Sequence, residues 1–210
     1  MRRVTTVPFY ETFDQSTIEY IMNHTELPTV VCSDELLRRV MDAKPACPHL
    51  KFVVRMDSAP NPELKQQCKD LGVELYSFEE VEQLGQANPR ETLSPVDDDI
   101  ATFCYTSGTT GVPKAAMISH ANLGAVVNGI AHAGIYLHPS DRHLSYLPLA
   151  HTLERIVTAY CLGAGSCIGF YQGDVKKLVS DLQALRPTIF VSVPRLFNRM
   201  YEGVCLCRCN

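Results

Sequence analysis

The sequence has no long hydrophobic run. Its longest weakly polar stretch, Ile156 to Phe170, falls short of the roughly 20 apolar residues that span a bilayer, and Gly163 and Gly165 interrupt it. A helix end followed by a buried strand suits it better, so no transmembrane segment is expected. Arg2 and Arg3 lead into Val-Thr-Thr-Val-Pro instead of an apolar core, so no secretory leader is expected. Basic charge is not in excess: 19 Lys and Arg stand against 23 Asp and Glu, a net charge of −4. Without a basic stripe interleaved with aromatics, nucleic acid is not an expected partner. Internal repeats and low-complexity tracts are also lacking. What remains is a globular composition, 46% hydrophobic and 20% charged over 210 residues, enough for one domain burying roughly 70–75% of its unfolded surface.

The most informative stretch is Tyr105-Thr106-Ser107-Gly108-Thr109-Thr110-Gly111-Val112-Pro113-Lys114, with apolar segments on both sides. Gly108 and Gly111 permit positive φ and a close backbone approach, which turns successive N–H groups toward one point. Hydroxyls from Thr106, Ser107, Thr109 and Thr110 add donors, and Lys114 adds a positive charge. A polyphosphate uses all three features at once. The pattern departs from G-x-x-x-x-G-K-[ST] at two places: Pro113 removes an N–H donor, and Ala115 replaces the hydroxyl that would hold magnesium. Ala-Ala-Met-Ile after the lysine reads as a short strand, so the loop is expected at a hairpin tip. A plain Ser/Thr/Gly connector is the bland alternative.

Around it, strands and helices alternate. Asp14 or Ser16 caps a helix bearing Ile18, Ile21 and Met22. A strand at 28–32 precedes a second helix capped by Asp34, and a strand at 51–55 precedes a third opened by Asn61-Pro62. A strand at 73–76 leads to Ser77-Phe-Glu-Glu80, a capping box. This repetition predicts an α/β fold with mostly parallel sheets and crossover helices. Residues 87–99 form a polar connection whose three terminal aspartates read as a solvated turn, with a metal site as the less favoured reading. Beyond the loop, helices are expected at 119–133 and from His151 to about 162, strands at 143–147, 166–170 and 188–191, a helix capped by Asp174, and a last helix from Pro194 to about Tyr201. Cys32, Cys47, Cys68, Cys104, Cys161 and Cys167, mostly in apolar contexts, are expected to be reduced core residues.

The loop resembles the phosphate-binding motif of the adenylate-forming superfamily. Leu147-Pro-Leu-Ala-His151-Thr-Leu-Glu-Arg155, the segment Leu185 to Tyr201 and Val-Pro-Phe-Tyr-Glu-Thr near the start are similar to its long-chain fatty acid–CoA ligase branch, over about residues 7–204. The resemblance implies part of that family's large N-terminal domain. It implies ATP-dependent activation of a fatty acid to acyl-adenylate and transfer to coenzyme A. Thr106, Ser107, Gly108, Thr109, Thr110, Gly111 and Lys114 would grip the ATP phosphates, Mg2+ would share their charge, and His151 would lie near the junction of adenylate and acyl pocket. A capping role for His151 stands beside that one, and His120 and Asn122 read as structural. Ser107 lacks the Gly-x-Ser-x-Gly setting of a nucleophile. An intracellular location follows, in the cytoplasm or at the cytoplasmic face of an organelle membrane, with room for peripheral membrane association.

Further family motifs (a Thr-Glu magnesium motif, a ribose-binding aspartate, an arginine and a C-terminal-domain lysine) have no counterpart here. The resemblance therefore implies a partial adenylation domain over 1–204, inactive alone, and a separate tail at 205–210. In that tail Cys205, Cys207 and Cys209 lack the spacing and fourth ligand of a zinc site. An adenylate-forming ligase for another carboxylic acid and a non-catalytic nucleotide-binding product remain open beside the fatty acid reading.

Overall fold

The structure, a computed structural model, describes residues 3–57, 59–106 and 112–208, with side chains as far as Glu202. Length alone suggests one domain, yet the chain divides into two compact units. Among the described residues, one comprises 9–94 with 106 and 112–114; the other comprises 3–8, 95–105 and 115–208.

The first unit runs α1 (Gln15–His24), β1 (Thr29–Cys32), α2 (Asp34–Ala43), β2 (Phe52–Arg55), α3 (Pro62–Asp70), β3 (Glu74–Ser77) and α4 (Phe78–Ala87). Its strands lie in the order β1-β2-β3, all parallel, with Val30 opposite Val53 and Val53 opposite Leu75. This is the predicted alternation, and each parallel pair is joined through a helix. The helices start where local chemistry dictates. Asp14 accepts from the Thr17 N–H at 2.8 Å, and Asn61 accepts from the Leu64 N–H at 2.8 Å. Ser77 and Glu80 complete the capping box at 3.1 and 2.8 Å. Ile18, Met22, Leu37, Val40, Leu50, Val53 and Leu75 close the core, with Phe9 and Phe13 packed on it.

Asp34 departs from expectation. The cap position of α2 belongs to Ser33, and the Asp34 carboxylate is held by the Arg55 guanidinium from the end of β2. A charge-assisted fork to arginine is stronger than a cap to a neutral amide, so the carboxylate turns to it. Beside this pair the buried Cys32 thiol is pushed up to about 11, chiefly by desolvation, which makes it an inert core thiol.

Glu80 supplies a pH prediction. The Lys65 ammonium and the Ser77 N–H hold its carboxyl below the ordinary glutamate range. A depressed folded value stabilises above the unfolded pKa and is lost as pH falls through the folded one. Glu80→Gln is therefore expected to lower stability near neutral pH by less than about 1 kcal/mol, the pair being partly exposed and screened. The loss should shrink as the pH falls through the depressed folded value, as read by urea unfolding at neutral pH and across the acid range.

In the second unit residues 3–8 run beside β4 (Ile100–Thr106): Thr6 bridges Thr102, donating its N–H to Ala101 O and accepting from the Phe103 N–H, both at 3.0 Å. β4 pairs with β5 (Lys114–Ser119) in a two-stranded sheet. Residues 107–113 are too few for a parallel crossover, so the pair is a hairpin, as predicted. There follow α5 (His120–His132), β6 (Arg142–Ser145), α6 (Thr152–Ala164), β7 (Cys167–Phe170), α7 (Leu178–Leu185) and α8 (Pro194–Arg208). β6 and β7 are parallel, with α6 as their crossover.

Three expectations change here. Asp174 caps a short 3-10 turn at 175–177 by accepting from the Lys176 N–H at 2.9 Å, and α7 begins after it. The strand expected at 188–191 reduces to a single bridge, His143 to Ile189. There the Thr188 hydroxyl, not a backbone carbonyl, accepts from the Arg142 N–H at 3.0 Å, which interrupts the ladder. Cys167 is exposed and not a core thiol, standing at the first position of β7, where the strand's burial begins only with Ile168.

Leu144, Tyr146 and Leu178 form the buried centre of this unit. Tyr146 stacks on Phe190 at 5.7 Å and shares a 2.6 Å hydrogen bond with Ser192. Gly169 faces Leu185 so closely that a Cβ there would lie 2.6 Å from Cδ2 and 2.8 Å from Cδ1. Gly169→Ala is therefore expected to overpack the centre and cost about 1–3 kcal/mol. Thermal unfolding of the variant checks this.

Candidate functional site

The hairpin of β4 and β5 fixes the two ends of the phosphate-type loop. Thr106 closes β4 and Lys114 opens β5, and both are exposed. Ser107, Gly108, Thr109, Thr110 and Gly111 lie outside the described residues. Tyr105, 3% exposed, anchors the end of β4 as a packed aromatic, as its position at a strand end predicts. Lys114 forms no ion pair with any described residue, so its ammonium remains available to an external anion. Strand geometry thus brings one hydroxyl and one cation to the base of the loop.

Behind β5, Ser119 and Asn122 form a reciprocal capping box at 3.2 and 3.0 Å, which commits the Asn122 side chain to α5 itself. The His120 and Ala121 N–H groups donate to the carbonyls of Asp99 and Asp97 at 3.0 and 2.9 Å. The Asp99 carboxylate accepts from the Val96 N–H at 2.9 Å and pairs with Arg3 at 2.8 Å. The acidic triplet therefore serves as a turn that terminates one segment and supports the start of α5.

His151 is the N-cap of α6. Its Nδ1 accepts from the Leu153 N–H at 3.3 Å, and its own N–H donates to Pro148 O at 2.8 Å. An accepting Nδ1 leaves the proton of the neutral ring on Nε2, where it finds no partner among the described residues and can donate to a ligand oxygen. The turn carrying it is tied down on several sides. Arg155 donates to Leu149 O at 3.3 and 3.2 Å and to Thr6 Oγ1 at 3.3 Å. Thr152 Oγ1 donates to Cys104 Sγ at 3.3 Å, and Cys104 Sγ to Ala150 O at 3.5 Å. Cys104 is thus an anchor between β4 and this turn.

Two residues were not singled out by sequence reasoning. His143 on β6 and Glu154 in the first turn of α6 are both 0% exposed and meet Nε2 to Oε1 at 3.0 Å. Thr158 Oγ1 also reaches Glu154 Oε1, at 3.5 Å. A signal was present: Glu154, Val157 and Cys161 fall on one helical stripe, all buried. A carboxylate in an otherwise apolar stripe implies a buried partner.

A sequence model of the AMP-binding enzyme family matches residues 1–206. The chain belongs to that family. Among curated AMP-binding relatives it is 43% identical over 204 residues to long-chain-fatty-acid–CoA ligase 1 of Cavia porcellus, covering 94% of this chain and 29% of the relative. It is 40% identical over 198 residues to the peroxisomal long chain acyl-CoA synthetase 6 of Arabidopsis thaliana, covering 94% of this chain and 28% of the relative. The chain thus spans under a third of the length of these relatives. Among solved structures it resembles the adenylation domain of a carboxylic acid reductase from Segniliparus rugosus, in complex with AMP and a co-purified carboxylic acid. There the TM-score is 0.79 and the identity 25%, covering 95% of this chain and 34% of that one. The likeness to a long-chain-fatty-acid CoA ligase of Rhodopseudomonas palustris, at TM-score 0.74 and 17% identity over 94% of this chain and 46% of that one, shows the shared fold.

Proposed function

We propose that this chain carries the phosphate-gripping part of a long-chain fatty acid–CoA ligase. The observation that carries the reading is the pairing of β4 with β5, in a chain 43% identical to such a ligase over 204 residues. That pairing sets Thr106 and Lys114 at the two ends of the loop, with Lys114 in no ion pair with a described residue. The carboxylate oxygen of a fatty acid attacks the α-phosphorus of ATP and pyrophosphate leaves. The thiol of coenzyme A then attacks the acyl carbon, releasing AMP and the thiol proton. Charge develops on the departing pyrophosphate, and donors fixed in advance at that place lower the barrier. Lys114 with the hydroxyls of Thr106, Ser107, Thr109 and Thr110 supplies them, while Gly108 and Gly111 admit the close approach of backbone N–H groups. His151 would place its Nε2 proton near the junction of adenylate and acyl pocket.

Among the described residues no group of three His, Cys, Asp or Glu side chains is placed to hold a metal ion. Mg2+ would arrive with the nucleotide, where it would supply charge neutralisation. No described helix is long and apolar enough to cross a membrane. The likeness to a peroxisomal relative supports a location inside the cell, and we add peripheral membrane association to that reading. On the same reading residues 1–204 form the adenylation-domain part and 205–210 a separate tail. The family match ends at 206 and α8 runs through Arg208, so that boundary rests on sequence character.

The test is exchange of pyrophosphate into ATP, driven by a panel of carboxylic acids, in this chain and in a version extended to the length of its relatives. The extended protein should exchange with palmitate in preference to benzoate or an amino acid, and the 210-residue chain should bind ATP without exchange. Preference for an aryl or amino acid would overturn the substrate class.

A further inference from the structure

We infer that His143 and Glu154 are positioning residues for His151, a clamp that holds the first turn of α6 against β6 so that the His151 ring keeps its donor on Nε2. The inference rests on the proposed role of His151 only for its functional meaning; its geometry stands independently. His151 is the cap, Leu153 supplies the N–H that it binds, and Glu154 is the next residue of the same turn. The cap survives only while that turn keeps its place, and the fully buried contact that ties it to β6 is Glu154 Oε1 to His143 Nε2 at 3.0 Å. His143 is itself fixed, because β6 is paired with β7 on one side and bridged to Ile189 on the other.

Chemistry also argues that the pair is more than filling. His143 Nδ1 and Glu154 Oε2 are buried and make no hydrogen bond. A leucine at each position would avoid that cost, since buried ion pairs are often replaced by apolar groups without loss of stability. Apolar contacts, however, are non-directional and would let the first turn of α6 slide or rotate. A hydrogen bond between side chains on different elements fixes register and orientation together. Thr158, one turn further along α6, donates to the same Oε1 at 3.5 Å, a second contact on that carboxylate oxygen.

The test needs no substrate, so its failure and a failure of the ligase reading are distinguishable. Nitrogen chemical shifts of the imidazoles are recorded on the full chain labelled at histidine, the His151 signals being assigned by their loss in His151→Gln. Wild type should show His151 as a single tautomer protonated at Nε2. In the double variant His143→Leu with Glu154→Leu, melting should stay at or above the wild-type temperature while the tautomer preference falls by about fivefold, the worth of a lost cap. Glu154→Gln, whose amide oxygen can still accept from His143 Nε2, should keep most of it. A folded double variant with the wild-type His151 signal would overturn the inference, as would a mixed tautomer in wild type. If the double variant does not fold, the single Glu154→Leu decides by the same signal.

Discussion

Lys114→Ala is expected to weaken ATP binding by about 10- to 100-fold while leaving the melting temperature unchanged. A hydrogen bond to a charged group is worth about 1.5–3 kcal/mol, and every 1.4 kcal/mol is about tenfold in affinity. Lys114 is exposed and makes no ion pair with a described residue, so its removal costs no fold energy. Lys114→Arg should restore part of the affinity, since the charge is kept but the compact ammonium is replaced by a planar fork. The residual affinity should also depend less on salt, because exposed charges are screened at physiological ionic strength. Calorimetric titration of ATP into wild type and both variants reads all of this. Equal affinity in wild type and Lys114→Ala would remove the phosphate assignment from the hairpin.

Leu50→Ala is expected to give the largest loss of stability, about 2–5 kcal/mol. Leu50 is 0% exposed, lies just before β2 and belongs to the core cluster of the first unit. Deleting its branched end removes transfer energy and leaves a cavity within that cluster. Domains are stable by only about 5–15 kcal/mol, so this one change consumes a large fraction. Leu71→Ala is the control: that side chain is 49% exposed and should cost less than about 0.5 kcal/mol. Urea unfolding followed by far-UV circular dichroism separates the two. A Leu50 loss as small as that at Leu71 would contradict the assigned core.

Much of the fold was legible because its signals are local. Asp14, Asn61-Pro62, Ser77 with Glu80 and Ser119 each satisfy their own helix terminus within one turn, so spacing alone located them. Parallel pairing followed from alternation, which is a rule of connection and not of side chains. What failed was settled at a distance. Asp34 is drawn from its cap by Arg55, 21 residues on, and the segment at 188–191 loses its ladder to the Thr188 hydroxyl. The same holds at the candidate site. Thr106 and Lys114 were legible from a contiguous motif, and the strands place these two ends of it. His143 and Glu154 were not, because neither residue is unusual alone and only packing of β6 against α6 makes them a pair. His151 was legible as a position, and the structure adds which ring nitrogen is engaged.

The uneven burial of the thiols turns the cysteines into a clock. Cys32, Cys47 and Cys68 are buried in the first unit and Cys161 in the second, while Cys167 lies open on β7. With Cys205, Cys207 and Cys209 changed to serine, an alkylating reagent should modify Cys167 within its intrinsic reaction time and the four buried thiols only when their surroundings open. Peptide mass mapping against time then reads a separate opening rate for each unit from one unmodified backbone, and Leu50→Ala should accelerate Cys32, Cys47 and Cys68 before it touches Cys161.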